Sequence, residues 1–184
     1  MPNTAERLRK LSRFMKVMVV LSGALFCSAV VYGHWQIFFD RQGFEQEIRD
    51  IVFPRVEIIT LSYRAIATVI FLTAINNALV IAGLVFAWQL FDGFQRGEIL
   101  SGRNGVLLRR VGLTAIAGSL CITISNAIGI LAVTYDNPGT TGHSVMFDIN
   151  GGTIIVMLMS GLVVGLGHVM VIASGVEAEN RSFV

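Results

Sequence analysis

Charge is scarce in this chain, and four long stretches have none. Asp, Glu, Lys and Arg make up 14% of the 184 residues while 54% are hydrophobic, and one aqueous core cannot hide so much apolar surface. Lipid is the expected solvent. The net charge of +2 is too small for nucleic-acid binding, and the basic residues sit at the ends of apolar runs, so no nucleic-acid partner is expected. Cysteine is limited to Cys27 and Cys121. Both lie in apolar runs without metal-ligand spacing, which fits small hydrophobes in packing roles. Histidine is equally sparse: His34, His143 and His168. At about 1.5 Å of rise per residue, His34 lies about 9 Å outward and His168 about 7 Å inward of the midplane, too far apart for one haem iron. His34 with His143 lacks a ligand motif. Also missing are a Gly-x-Ser-x-Gly elbow, a phosphate loop ending in Lys and a His-Glu-x-x-His helix. No catalytic residue, metal or cofactor is assigned. No linker or low-complexity tract divides the chain, so residues 1–184 are expected to form a single four-span membrane domain.

The uncharged windows are 17–39, 65–91, 111–135 and 149–176, each long enough to cross about 30 Å of hydrocarbon as a helix. The fold class is therefore all-α: an integral membrane protein with four transmembrane helices in a bundle. The first window follows a basic segment, as a secretory signal would. It exceeds the length of a signal core and ends in no small-x-small cleavage site, so it reads as a retained anchor. Lys and Arg set the direction. Arg7, Arg9, Lys10, Arg13 and Lys16 precede the first span, Arg96, Arg103, Arg109 and Arg110 occupy the second connection, and Arg181 follows the last span. The outer segment 40–64 has four basic residues and the connection 136–148 has none. Both termini are expected to be cytoplasmic, in a multi-pass protein of the bacterial inner membrane. Tyr32, Trp35, Trp88 and Tyr135 lie near span ends, where amphipathic rings favour headgroups.

Between the first two spans, Phe44, Ile48, Ile51 and Val52 recur at helical spacing among Glu45, Glu47, Arg49 and Asp50, which predicts a short amphipathic helix ended or kinked by Pro54. It either caps the bundle or lies on the membrane, and Val56, Ile58, Ile59 and Leu61 extend the second helix outward. The second connection has the chemistry of a tight helical hairpin. Gly97 suits a C-terminal cap and Ser101 an N-cap for a helix running through Arg109 and Arg110 into the third span. In the third connection, Asp136, Asn137, Pro138 and Gly139 signal a turn. Asp136, Asp148 and Asn150 supply too few oxygens for a convincing hard-cation site.

Polar groups inside the spans are candidates for helix packing. Asn76 and Asn126 fall within roughly 3 Å of each other in depth, and a hydrogen bond between them, worth about 0.6 kcal/mol, would set helix register. Gly161 and Gly165 are four apart with His168 on the same face, so that face is expected to meet another helix. His168 could also serve a proton relay or a ligand. A neutral histidine bonded to a nearby hydroxyl or carbonyl is the preferred reading, since no carboxylate lies at comparable depth. Glu177 and Glu179 sit at a helix C-terminus, where the macrodipole disfavours negative charge. They are expected to dock on the hairpin through Arg103, Arg109 and Arg110, although exposed pairs are typically worth only about 0–1 kcal/mol.

Two stretches resemble the bacterial membrane-protein family known as domain of unknown function 2975. One is the hairpin, Arg96-Gly97-Glu98-Ile99-Leu100-Ser101 with Asn104 and Arg109-Arg110-Val111-Gly112. The other is the tail, from Glu177 to Val184. The family more often has Phe where this chain has Leu100. The resemblance spans most of the chain and implies a small inner-membrane protein, often suspected of working beside small DNA-binding regulators. It transfers no functional residue. The residues themselves point to a non-enzymatic protein acting by interaction, as a regulator, assembly factor or accessory subunit, with a membrane protein or a second copy as partner. The alternative is a small channel or transporter for an ion or solute, which should show intramembrane charge, broken helices or an internal repeat.

Overall fold

In a computed structural model, residues 4–52, 62–98, 101–135 and 149–182 are described. They form five helices: α1 (Thr4–Phe39), α2 (Arg41–Val52), α3 (Tyr63–Gln95), α4 (Gly102–Tyr135) and α5 (Gly151–Ser182). No strand occurs among the described residues. Four stretches are long and apolar enough to cross a membrane, namely Arg9–Phe39, Tyr63–Gln95, Gly102–Tyr135 and Gly151–Glu177. The protein is thus an all-α membrane protein with four spanning helices and one short extra helix, the arrangement expected from the uncharged windows. Pro54, Val56, Ile58, Ile59 and Leu61, the turn around Pro138, His143 and Asp148 lie outside the described residues.

Local chemistry sets the helix starts. Asp40 separates α1 from α2, and its Oδ1 accepts the Gly43 N–H at 3.0 Å. Ser62 Oγ accepts the Ala65 N–H at 3.1 Å, capping α3. Both residues satisfy an amide that the first turn of a helix otherwise leaves unpaired.

Contacts gather into two units. One comprises residues 26–78 and 120–150. Its core pairs Ala65 of α3 with Val133 of α4, and Phe44 of α2, Ile66 and Ala132 pack against them. The Arg41 guanidinium also lies 5.5 Å from the centroid of the Tyr63 ring. The amphipathic α2 therefore lays its first apolar side chain on α3 and α4. Ser125 and Thr134 are buried here. The Thr134 hydroxyl donates to the Ile130 carbonyl at 2.9 Å, which keeps a buried polar group within its own helix.

The other unit comprises residues 1–25, 79–119 and 151–184, and its buried residues include Ser12, Leu90, Asn104, Leu107 and Ser160, with Gly93, Gly105, Gly112 and Gly167. Small and hydroxyl-bearing side chains dominate both interiors, whereas large apolar ones such as Leu25, Phe39, Phe71 and Leu162 are exposed. That distribution suits lipid as solvent. Hydrocarbon gives no drive to bury leucine, so helices associate where small residues let their backbones approach.

Candidate functional site

The α3–α4 hairpin is capped at both of the helix ends that it joins. Helix α3 ends in a Schellman motif: the Glu98 N–H donates to the Gly93 carbonyl at 3.2 Å and the Gly97 N–H to the Phe94 carbonyl at 3.1 Å. Gly97 takes φ +84°, a backbone conformation that costs a Cβ-bearing residue about 1–2 kcal/mol. Three residues beyond Glu98, Ser101 starts α4. Its Oγ accepts the Asn104 N–H at 3.2 Å and its carbonyl the Gly105 N–H at 3.1 Å. The expected caps at Gly97 and Ser101 are both present.

Asn104 closes the hairpin. It is the largest fully buried side chain among the described residues, and its Nδ2 donates across the turn to the Glu98 carbonyl. Its Oδ1 is buried without a hydrogen-bond partner and faces Gly93, where an added Cβ would strike it. Gly93 thus accepts the Glu98 amide and also leaves room for Asn104.

Charges at the same end tie α1 to α3. Lys16 Nζ lies 2.8 Å from Asp92 Oδ1, 3.3 Å from Gln95 Oε1 and 4.2 Å from the centroid of the Trp88 ring. Asp92 also pairs with Arg96 one turn on, and this hydrogen bond raises the Arg96 pKa above its ordinary value. The Lys16 side chain is 15% exposed against 73% for Lys10. Asp92→Asn is therefore expected to speed labelling of Lys16 by a water-soluble amine reagent while leaving Lys10 unchanged, read residue by residue by mass spectrometry. Equal acceleration at both lysines would mean general loosening instead.

Helices α4 and α5 meet along glycines. A Cβ on Gly105 would come within 2.9 Å of the Gly167 carbonyl oxygen and the Val171 nitrogen, and one on Gly112 within 2.8 Å of the Ser160 carbonyl oxygen. A Cβ on Gly167 would lie 2.7 Å from the Arg109 nitrogen, and one on Gly102 2.9 Å from Ser174 Oγ. The two backbones touch, and each glycine presents a Cα–H to the facing chain. The residues on α4, Gly105 and Gly112, are seven apart, as are Ser160, Gly167 and Ser174 on α5. Seven is the repeat of a seam between two helices.

The packing residues expected from sequence fall elsewhere. Gly161, Gly165 and His168 are exposed, and a Cβ on either glycine would meet nothing within 4 Å; the close-approach face of α5 carries Gly167 instead. Asn76 and Asn126 do not pair. Asn76 Oδ1 is buried without a partner and Asn126 is exposed. Matching depth fixes position along a helix axis but not rotation about it. His34, rather than His168, shows the expected histidine bond, with Nδ1 2.7 Å from the Val30 carbonyl oxygen of its own helix.

At the hairpin, Arg96, Glu98 and Arg103 are exposed and Arg109 is half-buried. The Arg110 guanidinium lies 5.6 Å from the centroid of the Phe86 ring. Glu177 and Glu179 are exposed on the last turns of α5. The Gly102–Ser174 contact holds that end of α5 beside the start of α4. The sequence alone assigns no packing role to Gly93, Asn104, Gly105, Gly112 and Gly167, although Asn104 and Gly112 stand in the stretch that carries the family resemblance; the seven-residue spacing of small residues on two successive helices is the signal for the last three.

Four spanning helices, a doubly capped hairpin and a glycine seam define a multi-pass helical membrane protein. The family model for Protein of unknown function (DUF2975) matches residues 40–182, and the chain belongs to that family. No curated protein and no solved structure matches it.

Proposed function

We propose that this protein is non-enzymatic and acts by binding another membrane protein or a second copy of itself, as a regulator, assembly factor or accessory subunit in the bacterial inner membrane. One observation carries this reading. Asn126 and His168 lie inside spanning helices, are exposed, and have no hydrogen-bond partner among the described residues. An amide or imidazole facing hydrocarbon is best satisfied by a group on a neighbouring helix. Beside His168, exposed Gly161 and Gly165 would let such a helix approach closely. In this reading both termini are cytoplasmic, and the capped hairpin with the adjoining Glu177 and Glu179 presents a preformed polar surface to the cytoplasm.

The test is purification in mild detergent at native expression, with cross-linking and mass spectrometry. A stoichiometric partner or a homo-oligomer is expected. Asn126→Leu together with His168→Leu should weaken it about three- to thirtyfold, since interhelical hydrogen bonds are worth about 0.6–2 kcal/mol. A lone chain, or a complex indifferent to both substitutions, would sink the proposal.

A further inference from the structure

A cavity of about 300 Å³ opens where α1 passes the end of α3, lined by Arg9, Arg13 and Gln95. Arg9 and Arg13 are four apart, so they share one face of α1. Neither has an ion-pair partner among the described residues. Two acids on these helices are already engaged, Asp92 by Lys16 and Arg96, and Glu6 by Lys10 at 3.0 Å. Gln95 Oε1 accepts from Lys16 at 3.3 Å, which leaves the Nε2 hydrogens of the same amide as donors. Among the described residues the lining therefore supplies two guanidinium forks and an amide donor and no carboxylate, a set that fits the oxygens of a phosphate.

Depth selects the source of that phosphate. The first uncharged stretch begins at Val17, about 6 Å of helix rise beyond Arg13. Val17 and Val20, four and seven residues beyond Arg13, are both at least half exposed, so apolar surface continues the face of α1 that carries the two arginines. A free anion has no use for that surface, whereas acyl chains do. Basic pockets beside spanning helices are a known way of holding anionic headgroups. The geometry points to a binding site for the phosphate of an anionic phospholipid headgroup between Arg9, Arg13 and Gln95. The site makes the junction of α1 and α3 responsive to the anionic lipid content of the surrounding leaflet.

The full-length protein in mild detergent, titrated with phosphatidylglycerol and separately with phosphatidylcholine and followed by native mass spectrometry, tests this. Wild type should hold phosphatidylglycerol about tenfold or more tightly than the double variant Arg9→Gln, Arg13→Gln, with phosphatidylcholine the same in both. A charge-matched control, Arg7→Gln with Lys10→Gln, removes two positive charges of α1 outside the cavity and should retain wild-type affinity. The thermal midpoints of all three proteins establish that each is folded. Unchanged phosphatidylglycerol binding in the cavity variant overturns the proposal. Equal loss in the control also overturns it, because the attraction would then belong to the basic segment as a whole. Displacement of the lipid by millimolar inorganic phosphate would overturn the lipid assignment and give the site to a free phosphate.

Discussion

Leucine in place of Gly105 or Gly112 is expected to destabilise the folded chain by about 1–3 kcal/mol at each position, with more where α4 and α5 are forced apart along their length. The atoms a side chain would meet at these glycines include the Gly167 and Ser160 carbonyl oxygens, at 2.9 and 2.8 Å from the Cβ position. Backbone atoms cannot rotate away as a flexible side chain can. Alanine tests the same point with an opposing bias, because it favours the helix over glycine by about 1 kcal/mol; a net loss on Gly105→Ala would show that contact outweighs propensity. Unfolding in mild detergent by titrated SDS is the measurement. The comparison that gives it meaning is Gly161→Leu and Gly165→Leu, where a Cβ meets nothing within 4 Å and the change in the single chain should be neutral or stabilising by up to about 1 kcal/mol. If those two cost as much as Gly105→Leu, the seam has been misplaced. Combining Gly105→Leu with Gly112→Leu should cost less than the sum, since helices parted at one contact lose the next.

The helices were legible in the sequence because lipid solubility is a property of composition over some twenty residues. Helix ends were legible only where local chemistry marks them, as at Gly97 and Ser101. The window beginning at residue 111 understates α4, which starts at Gly102. Charge defines where hydrocarbon ends, and Arg103, Arg109 and Arg110 continue the helix past that boundary.

Pairing between helices was less legible for a related reason. Gly161 and Gly165 have the small-residue spacing of a packing face, yet Gly167 is the glycine that α4 covers. Which face of α5 turns toward α4 depends on residues roughly fifty to seventy positions away. The information was divided between two segments: Gly105 and Gly112 on one, Ser160, Gly167 and Ser174 on the other. Reading either alone leaves the rotation open. Asn76 and Asn126 failed on the same ground, matched in depth but not in direction. Asn104 went unnoticed as a site residue because its partner is the Glu98 carbonyl, and a backbone acceptor leaves no mark on the sequence.

Asn104 therefore offers the sharpest test of the hairpin. Asn104→Ala removes the donor to the Glu98 carbonyl and should cost about 1–3 kcal/mol, the usual penalty for stranding a buried polar group. Amide hydrogen exchange of the Gly97 and Glu98 N–H groups, which close the cap of α3, should quicken with it. Gly93→Ala is expected to cost a similar amount for the opposite reason, because the new Cβ lands on Asn104 Oδ1 and must push the side chain off its acceptor. Together the two substitutions should interact strongly. With Asn104 already shortened, the methyl group that Gly93→Ala adds enters vacated space and raises helix propensity, so this second change should be neutral or stabilising in that background. A double-mutant cycle in detergent measures the coupling, with an expected size of about 1–3 kcal/mol. Additive losses would mean that Gly93 and Asn104 act separately and that the hairpin is held by its two caps alone.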